Sequence, residues 1–292
     1  MRVHLVDGTY ELFRYYFALP GHLDDAGIEV DAVRGVLGST LGLLEEGATH
    51  VGVATDHVIE SFRNDLWPGY KTSAGIDPLL LAQFPLLEDA LLALGVTVWA
   101  MVDLEADDAL AAAARVGVDD PRVEQVVICT PDKDLAQCVV DPRVVQLDRR
   151  QRKRFDEAAV REKFGVSPAS IPDWLALVGD NADGFPGLPG WGAKSAASVL
   201  ARYGHLEEIP ADGGTWDITV RGAPKLAATL AEAHKDAMLF RDLATLRVDA
   251  PVGRVDDWRW RGPAPELERW TDRLDAPELL ARARTAAEGR EP

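Results

Sequence analysis

The stretch that decides the fold is GVTVWAMVDLEADDALAAAAR, at residues 95–115. Its first part, Gly95–Val102, is apolar and rich in valine, which is typical of a buried strand. Acidic residues follow, and from Ala106 to Arg115 the sequence is rich in alanine, which favours a helix. A buried strand joined to a helix through a short turn is the unit from which α/β folds are built.

The same alternation extends to both sides of this unit. Four other apolar runs predict buried strands: Arg2–Val6, His50–Thr55, Val123–Thr130 and Arg143–Leu147. Helical spacing of apolar residues lies between them, at Asp31–Glu46 and Pro78–Leu94. None of the runs alternates cleanly between polar and apolar residues, which is typical of a parallel sheet covered on both faces. We therefore predict an open α/β fold with a mostly parallel sheet.

The character of the chain changes after about residue 150. Gln151–Arg154 is polar and basic, and short helical patterns interrupted by glycine and proline follow it. Asp180–Gly192 is rich in both breakers and predicts a loop or hairpin. The tail after Pro251 predicts helix, and its tryptophans are expected to act as packing anchors.

Composition limits the class of protein. Apolar residues make up 47% of the chain, and no run is long enough to predict a membrane span. The N-terminus lacks a signal-peptide pattern and Cys129 lies in a predicted strand, so we expect a cytoplasmic protein with reduced thiols. The net charge of −17 argues against a nucleic-acid partner unless acidic residues bind cations, which reverse the local field.

Acidic residues follow the predicted strands at the point where each strand ends. These residues are Asp7, Asp56, Glu105, Asp107, Asp108, Asp132 and Asp134. In an open parallel sheet the carboxyl ends of the strands line one edge. Asp180 and Asp183 add two more carboxylates from the second part of the chain. Such a cluster repels itself unless cations hold it, and carboxylate oxygens suit Mg²⁺ or Mn²⁺, with two ions roughly 4 Å apart.

Each acidic motif also has a structural explanation. The acids of Glu105–Asp108 could cap the helix that begins at Ala106. Asp132 and Asp134 could belong to an ordinary turn, and so could Asp7. The metal hypothesis depends on the motifs taken together.

A second motif, GLPGWGAKS at residues 187–195, precedes a helical run. It is not a Walker phosphate loop, because Ala193 separates Gly192 from Lys194. The spacing predicts a helix-hairpin-helix, whose backbone N–H groups and Lys194 would face a phosphate. The alternative is an ordinary surface loop.

At this point the chain resembles the 5′ nucleases, which include the N-terminal domain of bacterial DNA polymerase I, phage 5′ exonucleases and flap endonucleases. The matching segments run in family order: LVDG with Arg14 at 5–14, SFRNDLWPGYK at 61–71, LEADDALA at 104–111, TPDKDLAQ at 130–137 and GDNADGFPGLPGWGAKSA at 179–196. We expect a stand-alone bacterial-type 5′-3′ exonuclease.

The resemblance implies a PIN-like α/β core over residues 1–165, with a helical arch at about 57–85. It implies a helical DNA-binding subdomain over 166–292, with the helix-hairpin-helix at about 174–204. It implies these ligands for a first metal: Asp7, Asp56, Glu105, Asp107 and Asp132. Asp134, Asp180 and Asp183 resemble the second-metal residues, with Asp108 as support.

The resemblance also implies how DNA is bound. Lys71 resembles a catalytic lysine that acts with Arg63 and Asp132. The implied DNA contacts are Arg14, Arg63, Lys71, Gly190, Gly192, Lys194 and Ser195. The implied carbonyl ligands of a K⁺ ion are those of Gly187, Leu188, Gly190 and Gly192. Arg63 and Lys71 could instead be solvated surface charges, and Arg14 could pair with a core carboxylate.

Two departures from the family pattern affect these expectations. Ala74 stands where the family usually has a basic residue of the arch. Ala182 and Gly184 replace a serine and an asparagine, which puts the rigidity of that loop in question.

The function that we expect is hydrolysis of DNA phosphodiester bonds by a monomer acting on 5′ ends, flaps or branches. One alternative is a PIN-type ribonuclease, against which the glycine hairpin argues. The other is a branched-DNA-binding protein without activity, against which the complete set of carboxylates argues.

Overall fold

The computed structural model describes residues 1–288. The chain forms two compact units. The first comprises Met1–Ile59, Ser73–Thr130 and the residues from Val248 onwards, and the second comprises Glu60–Thr72 and Pro131–Arg247. No helix within the described residues has the length and apolar character needed to cross a membrane.

The first unit is built on four parallel strands. These are β1 (Arg2–Asp7), β2 (His50–Asp56), β3 (Thr97–Met101) and β4 (Gln125–Cys129), in the order β3-β2-β1-β4. Every residue of β2 is buried, which explains why its sequence does not alternate. In the register, Asp7 lies opposite Ala54 and Asp56 lies opposite Met101, so the acids at the strand ends share one edge. The predicted strands are confirmed here.

Seven helices accompany this sheet: α1 (Gly8–Ala18), α2 (Asp31–Glu45), α4 (Pro78–Leu81), α5 (Gln83–Leu94), α6 (Ala106–Asp119), α12 (Leu267–Arg273) and α13 (Pro277–Ala287). The single helix expected over Pro78–Leu94 is two helices, with Ala82 at the junction. A left-handed Gly95 ends α5, so the strand that we expected to begin at Gly95 begins at Thr97.

The C-terminal tail packs within the first unit and not, as we expected, with the DNA-binding subdomain. The ring of Trp258 lies edge-on to Trp99, with centroids 5.5 Å apart. The indole N–H of Trp260 donates to the carbonyl of Leu94 at 2.8 Å. The prediction that these tryptophans act as packing anchors is confirmed, because both are almost fully buried. Their partners are far away in sequence, so no local pattern shows which unit they join.

The second unit is mainly helical. Its helices are α3 (Phe62–Leu66), α7 (Glu157–Phe164), α8 (Ile171–Val178), α9 (Ala193–Tyr203), α10 (Ala223–Glu232) and α11 (His234–Ala244). Two antiparallel strands, β5 (Val144–Asp148) and β6 (Lys153–Phe155), precede α7. The sequence predicts β5 but not β6, because β6 is short and basic. The rings of Phe185 and Phe240 stack in its core, 5.6 Å apart.

The second unit consists of two segments of the chain. The longer one begins at Pro131, before the expected boundary at residue 166, and the shorter one is Glu60–Thr72. Two hydrogen bonds hold the latter segment in place. The backbone N–H of Lys71 donates to the carbonyl of Asp183, and the indole of Trp67 donates to that of Gly184, both at 3.0 Å. The expected arch segment, 57–85, therefore contains α3 and α4 with a non-helical stretch between them.

Candidate active site

Asp7 is fixed where β1 meets α1. It is the last residue of β1 and the N-cap of α1, and it accepts a hydrogen bond from the backbone N–H of Tyr10 at 2.8 Å. Its other oxygen accepts from the hydroxyl of Thr130, the residue after β4, at 2.9 Å. Asp7 thus caps a helix, as the structural alternative proposes, and at the same time lies at the carboxyl edge of the sheet.

Asp56 and Glu105 join this edge to α6. One oxygen of Asp56 accepts from the backbone N–H of Ala106 at 2.7 Å. Glu105 is the N-cap of α6, and its backbone N–H donates to Asp108 at 2.9 Å, as part of a capping box. Asp56 and Glu105 are buried. Two of the predicted first-metal ligands are therefore held rigidly at the ends of neighbouring elements.

The remaining acids of this motif differ in exposure. Asp108 is fully buried, and its carboxylate accepts the hydrogen bond from the backbone N–H of Glu105 in the capping box. Its supporting role stays a prediction. Asp107 is partly exposed in the first turn of α6, where the helix dipole favours a negative charge.

A polar network beside Asp56 was not predicted from the sequence. The carboxylate of Glu88 accepts from the hydroxyl of Thr55 at 2.7 Å and lies 2.7 Å from Nδ1 of His57. Glu88 is only 6% exposed. Its position on the buried face of the apolar helix α5 is the signal that the sequence offers, since an acid is rarely buried without a partner.

The second unit brings together Asp134, Asp180 and Asp183. Ligand oxygens of these three side chains lie within 4.8 Å of one another. Each residue is at most 9% exposed. Asp180 and Asp183 share a tight turn, in which the backbone N–H groups of Gly184 and Phe185 donate to the carbonyl of Asp180. Three of the predicted ligands are therefore adjacent in space.

The charges in this cluster are incompletely balanced. Burial, and then the carboxylates of Asp132 and Asp183, raise the pKa of Asp134 well above its usual range. Nζ of Lys133 lies 2.5 Å from Asp180. Burial lowers the pKa of Lys133, but the neighbouring Asp134 and Asp180 outweigh that effect and the net shift is upward. The role of Lys133 was not predicted from the sequence.

A divalent cation fits this arrangement. The buried Oδ1 of Asp134 accepts no hydrogen bond from any residue of the described chain. Such an atom is costly to bury unless a cation or donor satisfies it. The ligands are all carboxylate oxygens, which suit hard cations such as Mg²⁺. The residues present therefore fit a metal ion.

Lys71 lies beside the same cluster. Its Nζ is 3.2 Å from Oδ1 of Asp183, and the side chain of Asn64 donates to its carbonyl at 3.0 Å. Asp132 is exposed, and its Oδ1 accepts from the backbone N–H of Asp134 at 2.9 Å. The side-chain amide of Gln146 donates to the carbonyl of Asp132. The turn expected at Asp132 is therefore present next to the cluster.

Arg63 does not lie where a DNA contact requires it. The side chain is 1% exposed. Its Nε donates to the carbonyl of Leu243 at 2.8 Å, and its Nη2 donates to that of Thr245 at 3.2 Å. The expectation that Arg63 contacts phosphate is wrong for this structure, because its guanidinium joins α3 to the end of α11.

Arg14 follows the alternative that the sequence left open. It pairs with the buried carboxylate of Glu11, one turn away on α1. Its guanidinium carbon lies 4.0 Å from the centre of the Tyr15 ring. These contacts hold Arg14 against its own helix.

The structure explains one departure from the family pattern. Gly184 has a φ of 84°, and a Cβ atom there would lie 2.0 Å from the carbonyl oxygen of Gly69. Only glycine permits this approach between the two segments. Ala182 keeps the turn through its backbone N–H, which donates to Asp180 at 3.0 Å. The turn is therefore held by hydrogen bonds of its backbone.

The glycine hairpin leads directly into α9. Gly187 and Gly190 have positive φ values, 68° and 83°. A Cβ on Gly187 would lie 2.3 Å from the backbone nitrogen of Gly179. Gly192 is the N-cap of α9, and its N–H donates to the hydroxyl of Ser195 at 3.0 Å. Of the carbonyls expected to bind K⁺, that of Leu188 accepts from the backbone N–H of Trp191, and that of Gly192 accepts from the backbone N–H of Ala196 and the hydroxyl of Ser195.

A surface groove with a volume of about 500 Å³ runs along this hairpin. Its polar lining includes Lys194, Ser195, Ser198, Thr219 and Arg221. The last two come from the loop before α10, and their distance along the chain explains why the sequence did not connect them with the hairpin. The groove thus combines a helix N-terminus with two cationic side chains.

Two family descriptions match the chain in succession. "5'-3' exonuclease, N-terminal resolvase-like domain" matches residues 2–165, and "5'-3' exonuclease, C-terminal SAM fold" matches residues 166–266.

Among curated relatives, DNA polymerase I of Pseudomonas aeruginosa is 33% identical over 308 residues, which cover 98% of this chain and 32% of the polymerase. DNA polymerase I of Bacillus caldotenax is 34% identical over 268 residues, covering 88% of this chain and 29% of that protein. The chain thus spans about a third of the length of the curated relatives that it matches.

Solved structures share the fold. T5 5′-exonuclease with bound divalent metal ions (zinc) has a TM-score of 0.66 at 17% identity, and the match covers 99% of both chains. The catalytic core of Rad2 in complex with a DNA substrate has a TM-score of 0.62 at 15% identity, covering 98% of this chain and 91% of that one. With both family descriptions and relatives above 30% identity, the chain belongs to the 5′-3′ exonuclease family.

Proposed function

We propose that this chain hydrolyses DNA phosphodiester bonds as a metal-dependent 5′-3′ exonuclease and flap endonuclease. The observation that carries the proposal is the cluster of Asp134, Asp180 and Asp183 with Lys71 beside it. Buried carboxylates, one of whose oxygens accepts no hydrogen bond, are suited to a cation, and a lysine next to them is suited to a phosphate. Family membership supports the choice of DNA as the substrate.

Each compact unit supplies a separate set of proposed metal ligands. In the first unit, Asp7, Asp56 and Glu105, with Asp107, are the proposed ligands of one ion, and Asp108 positions Glu105. In the second unit, Asp134, Asp180 and Asp183 are the proposed ligands of another. Asp132 remains a proposed metal ligand. When bound, such cations generate hydroxide from water at neutral pH and stabilise the leaving oxygen.

Lys71 has a separate role in this proposal. Its ammonium group is held 3.2 Å from Asp183, and its backbone is fixed by a second hydrogen bond to the same residue. A positive charge held in this way contributes electrostatic stabilisation of the scissile phosphate without having to reorganise during the reaction. Lys133 neutralises part of the charge on Asp180.

The groove beside the glycine hairpin is the proposed contact with duplex DNA. Lys194 and Arg221 supply charge, and the N-terminus of α9 supplies backbone N–H groups. Mg²⁺ or Mn²⁺ is the proposed catalytic metal. We further propose that K⁺ binds the carbonyls of Gly187, Leu188, Gly190 and Gly192, since Gly187 and Gly190 adopt the tight turns that such a site needs.

The test is cleavage of a 5′-labelled flap duplex with Mg²⁺ and with EDTA, with an RNA flap of the same sequence in parallel. We expect DNA cleavage only with the divalent metal. The Asp134→Asn variant should lose several orders of magnitude in rate while still binding DNA. Faster cleavage of the RNA flap would favour a ribonuclease, and binding without any turnover would favour an inactive DNA-binding protein. Either outcome would contradict the proposal.

A further inference from the structure

A strongly basic segment joins β5 to β6. The sequence RRQRKR at residues 149–154 contains five cationic residues in six positions, in a chain whose net charge is −17. We call residues 149–154 the basic hairpin. It lies apart in sequence from the carboxylate motifs and from the glycine hairpin, and the proposed function gives it no role.

Four of the five cationic side chains of the basic hairpin are exposed to solvent. Arg150, Arg152, Lys153 and Arg154 are all exposed, and within residues 1–288 none of the four forms an ion pair. The nearest acid in sequence, Asp148, is buried, and its carboxylate accepts from the backbone N–H of Gln151 at 2.9 Å. Four adjacent cations without an acidic partner are unusual in so acidic a chain.

Several other exposed arginines of this chain have an acidic partner. Arg115 pairs with Asp119, Arg254 with Asp257 and Arg284 with Glu268. Arg2, Arg221, Arg261 and Arg269 are also exposed without an ion pair in the described chain, but no two of them are adjacent in sequence, whereas Arg150, Arg152, Lys153 and Arg154 lie within five consecutive residues. The difference suggests that the counter-charge of the hairpin comes from another molecule.

The hairpin presents its cations in a fixed arrangement. In the antiparallel backbone register Lys153 lies opposite Asp148 and Arg154 lies opposite Leu147, so these two successive side chains are on opposite faces of the hairpin. Arg152 adopts a left-handed conformation, with a φ of 54°, at the turn. Cations are therefore displayed on both faces and at the tip.

One further cationic side chain, Lys163, lies near the hairpin. Nζ of Lys153 lies 5.0 Å from the centre of the Phe155 ring, and Nζ of Lys163 lies 4.7 Å from the same ring. Burial, and then the charge of Lys153, lower the pKa of Lys163. The carboxylates of Asp132 and Asp148 act in the opposite direction on Lys163, and the net shift of its pKa is still downward.

We propose that the basic hairpin binds the sugar-phosphate backbone of DNA, as a contact separate from the metal cluster and the glycine-hairpin groove. The choice of DNA over other polyanions rests on the proposed function. Arginine is suited to this contact because its planar guanidinium donates two hydrogen bonds to one phosphate. On an acidic protein, such a patch also steers DNA towards one face of the molecule.

The test compares two triple variants of equal charge. The hairpin variant carries Arg150→Gln, Arg152→Asn and Arg154→Gln, with Asn at 152 because it tolerates the left-handed conformation. The control carries Arg115→Gln, Arg254→Gln and Arg284→Gln, at sites whose side chains are 66%, 85% and 61% exposed. Both variants lose three positive charges, so a general effect of net charge is the same in each.

The measurement is the Kd for a 5′-labelled flap duplex in EDTA, over a range of salt concentrations. We expect the hairpin variant to bind about 10-fold or more weakly than the parent, with a salt slope shallower by up to about 2.7 units, or about 0.9 per lost phosphate contact. The control should stay within about 2-fold of the parent. With Mg²⁺, kcat at saturating DNA should be unchanged while KM rises.

The outcomes separate the two proposals. If the hairpin variant binds like the control, the basic hairpin does not contact DNA, whatever the cleavage assay shows. If the parent never cleaves DNA but the hairpin variant still loses affinity, the nuclease proposal fails and this one stands. A loss of affinity for an RNA duplex of the same length without a loss for DNA would overturn the choice of ligand. If the triple variant has a lower melting temperature than the parent, the single variant Arg154→Gln is measured instead. It should bind DNA about 2–5-fold more weakly, and an unchanged Kd would contradict the proposal.

Discussion

Lys71 is held by Asp183 at two points. Its Nζ lies 3.2 Å from Oδ1 of Asp183, and its backbone N–H donates to the carbonyl of Asp183 at 3.0 Å. The carboxylate that belongs to the proposed metal cluster therefore also positions the proposed catalytic lysine. Because the second contact is made by the backbone, a substitution of the Lys71 side chain leaves the path of the chain intact.

The first prediction follows from this arrangement. Lys71→Ala should lower the single-turnover rate of flap cleavage by about 100-fold or more, because it removes a fixed positive charge from the reacting phosphate. The Kd for DNA should change by much less. Lys71→Arg is the matched control and should recover part of the rate, since it keeps the charge. Equal rates for the alanine variant and the parent would exclude a catalytic role for Lys71.

The second prediction concerns Asp134 without metal. Burial and then neighbouring carboxylates raise its pKa, so the folded state binds a proton here more readily than the unfolded state does. Stability should therefore fall as pH rises from the ordinary carboxyl range through the raised pKa. Asparagine does not ionise, so Asp134→Asn removes this loss of stability at high pH. In EDTA at pH 8 the variant should melt about 2–4 °C above the parent.

The same variant has an internal control in Mg²⁺. The parent should be stabilised by the ion, because a ligand that binds only the folded state raises the melting temperature, and the variant should gain less. In EDTA, the difference in melting temperature between the variant and the parent should become smaller towards pH 4, where the carboxyl of Asp134 in the parent is protonated. A variant that melts well below the parent in EDTA would show that Asp134 is a structural residue.

The third prediction concerns Arg63. Because its guanidinium donates to the carbonyls of Leu243 and Thr245 in a buried site, Arg63→Met should leave those carbonyls unsatisfied. We expect a loss of about 1–3 kcal/mol in the free energy of unfolding, measured with urea. DNA binding by the folded protein should be unchanged. If the variant were as stable as the parent but bound DNA more weakly, the result would support the phosphate contact that the sequence suggested.

Arg63 also shows what the sequence cannot provide. The apolar runs predict β1 to β5 because burial on both faces demands such residues, and the acids at their ends follow from the parallel arrangement. The partners of Arg63 lie 180 and 182 residues away, and no local pattern indicates them. The same holds for Trp260, whose partner Leu94 is 166 residues away. Short elements such as β6 are also missed, because basic residues carry no strand pattern.

The fourth prediction concerns the groove beside the glycine hairpin. Lys194→Ala and Arg221→Ala should each weaken binding to the duplex part of a flap, and each should make the salt slope shallower by about one unit at most. The rate at saturating DNA should not change, since neither residue belongs to the metal cluster. Lys235→Ala, on the exposed surface of α11 and outside the groove, is the control. If all three variants bind DNA equally well, the groove is not a DNA contact.

The last prediction concerns Gly184, where the family usually carries an asparagine. Gly184→Asn restores the family residue but places a Cβ atom 2.0 Å from the carbonyl oxygen of Gly69, at a φ of 84°. Asparagine tolerates that φ better than most residues, so the close approach to the Gly69 segment, and not the dihedral angle, is the main cost. We expect a loss of about 1–3 kcal/mol in stability. The rate should also fall, because moving the Gly69 segment displaces Lys71 relative to Asp183.

Gly42→Ala is the control, since nothing lies within 4 Å of a Cβ at that helical position. It should be neutral or stabilising. A Gly184→Asn variant that matches the parent in melting temperature and rate would show that the loop adapts, and that the glycine is not required for the geometry of the cluster.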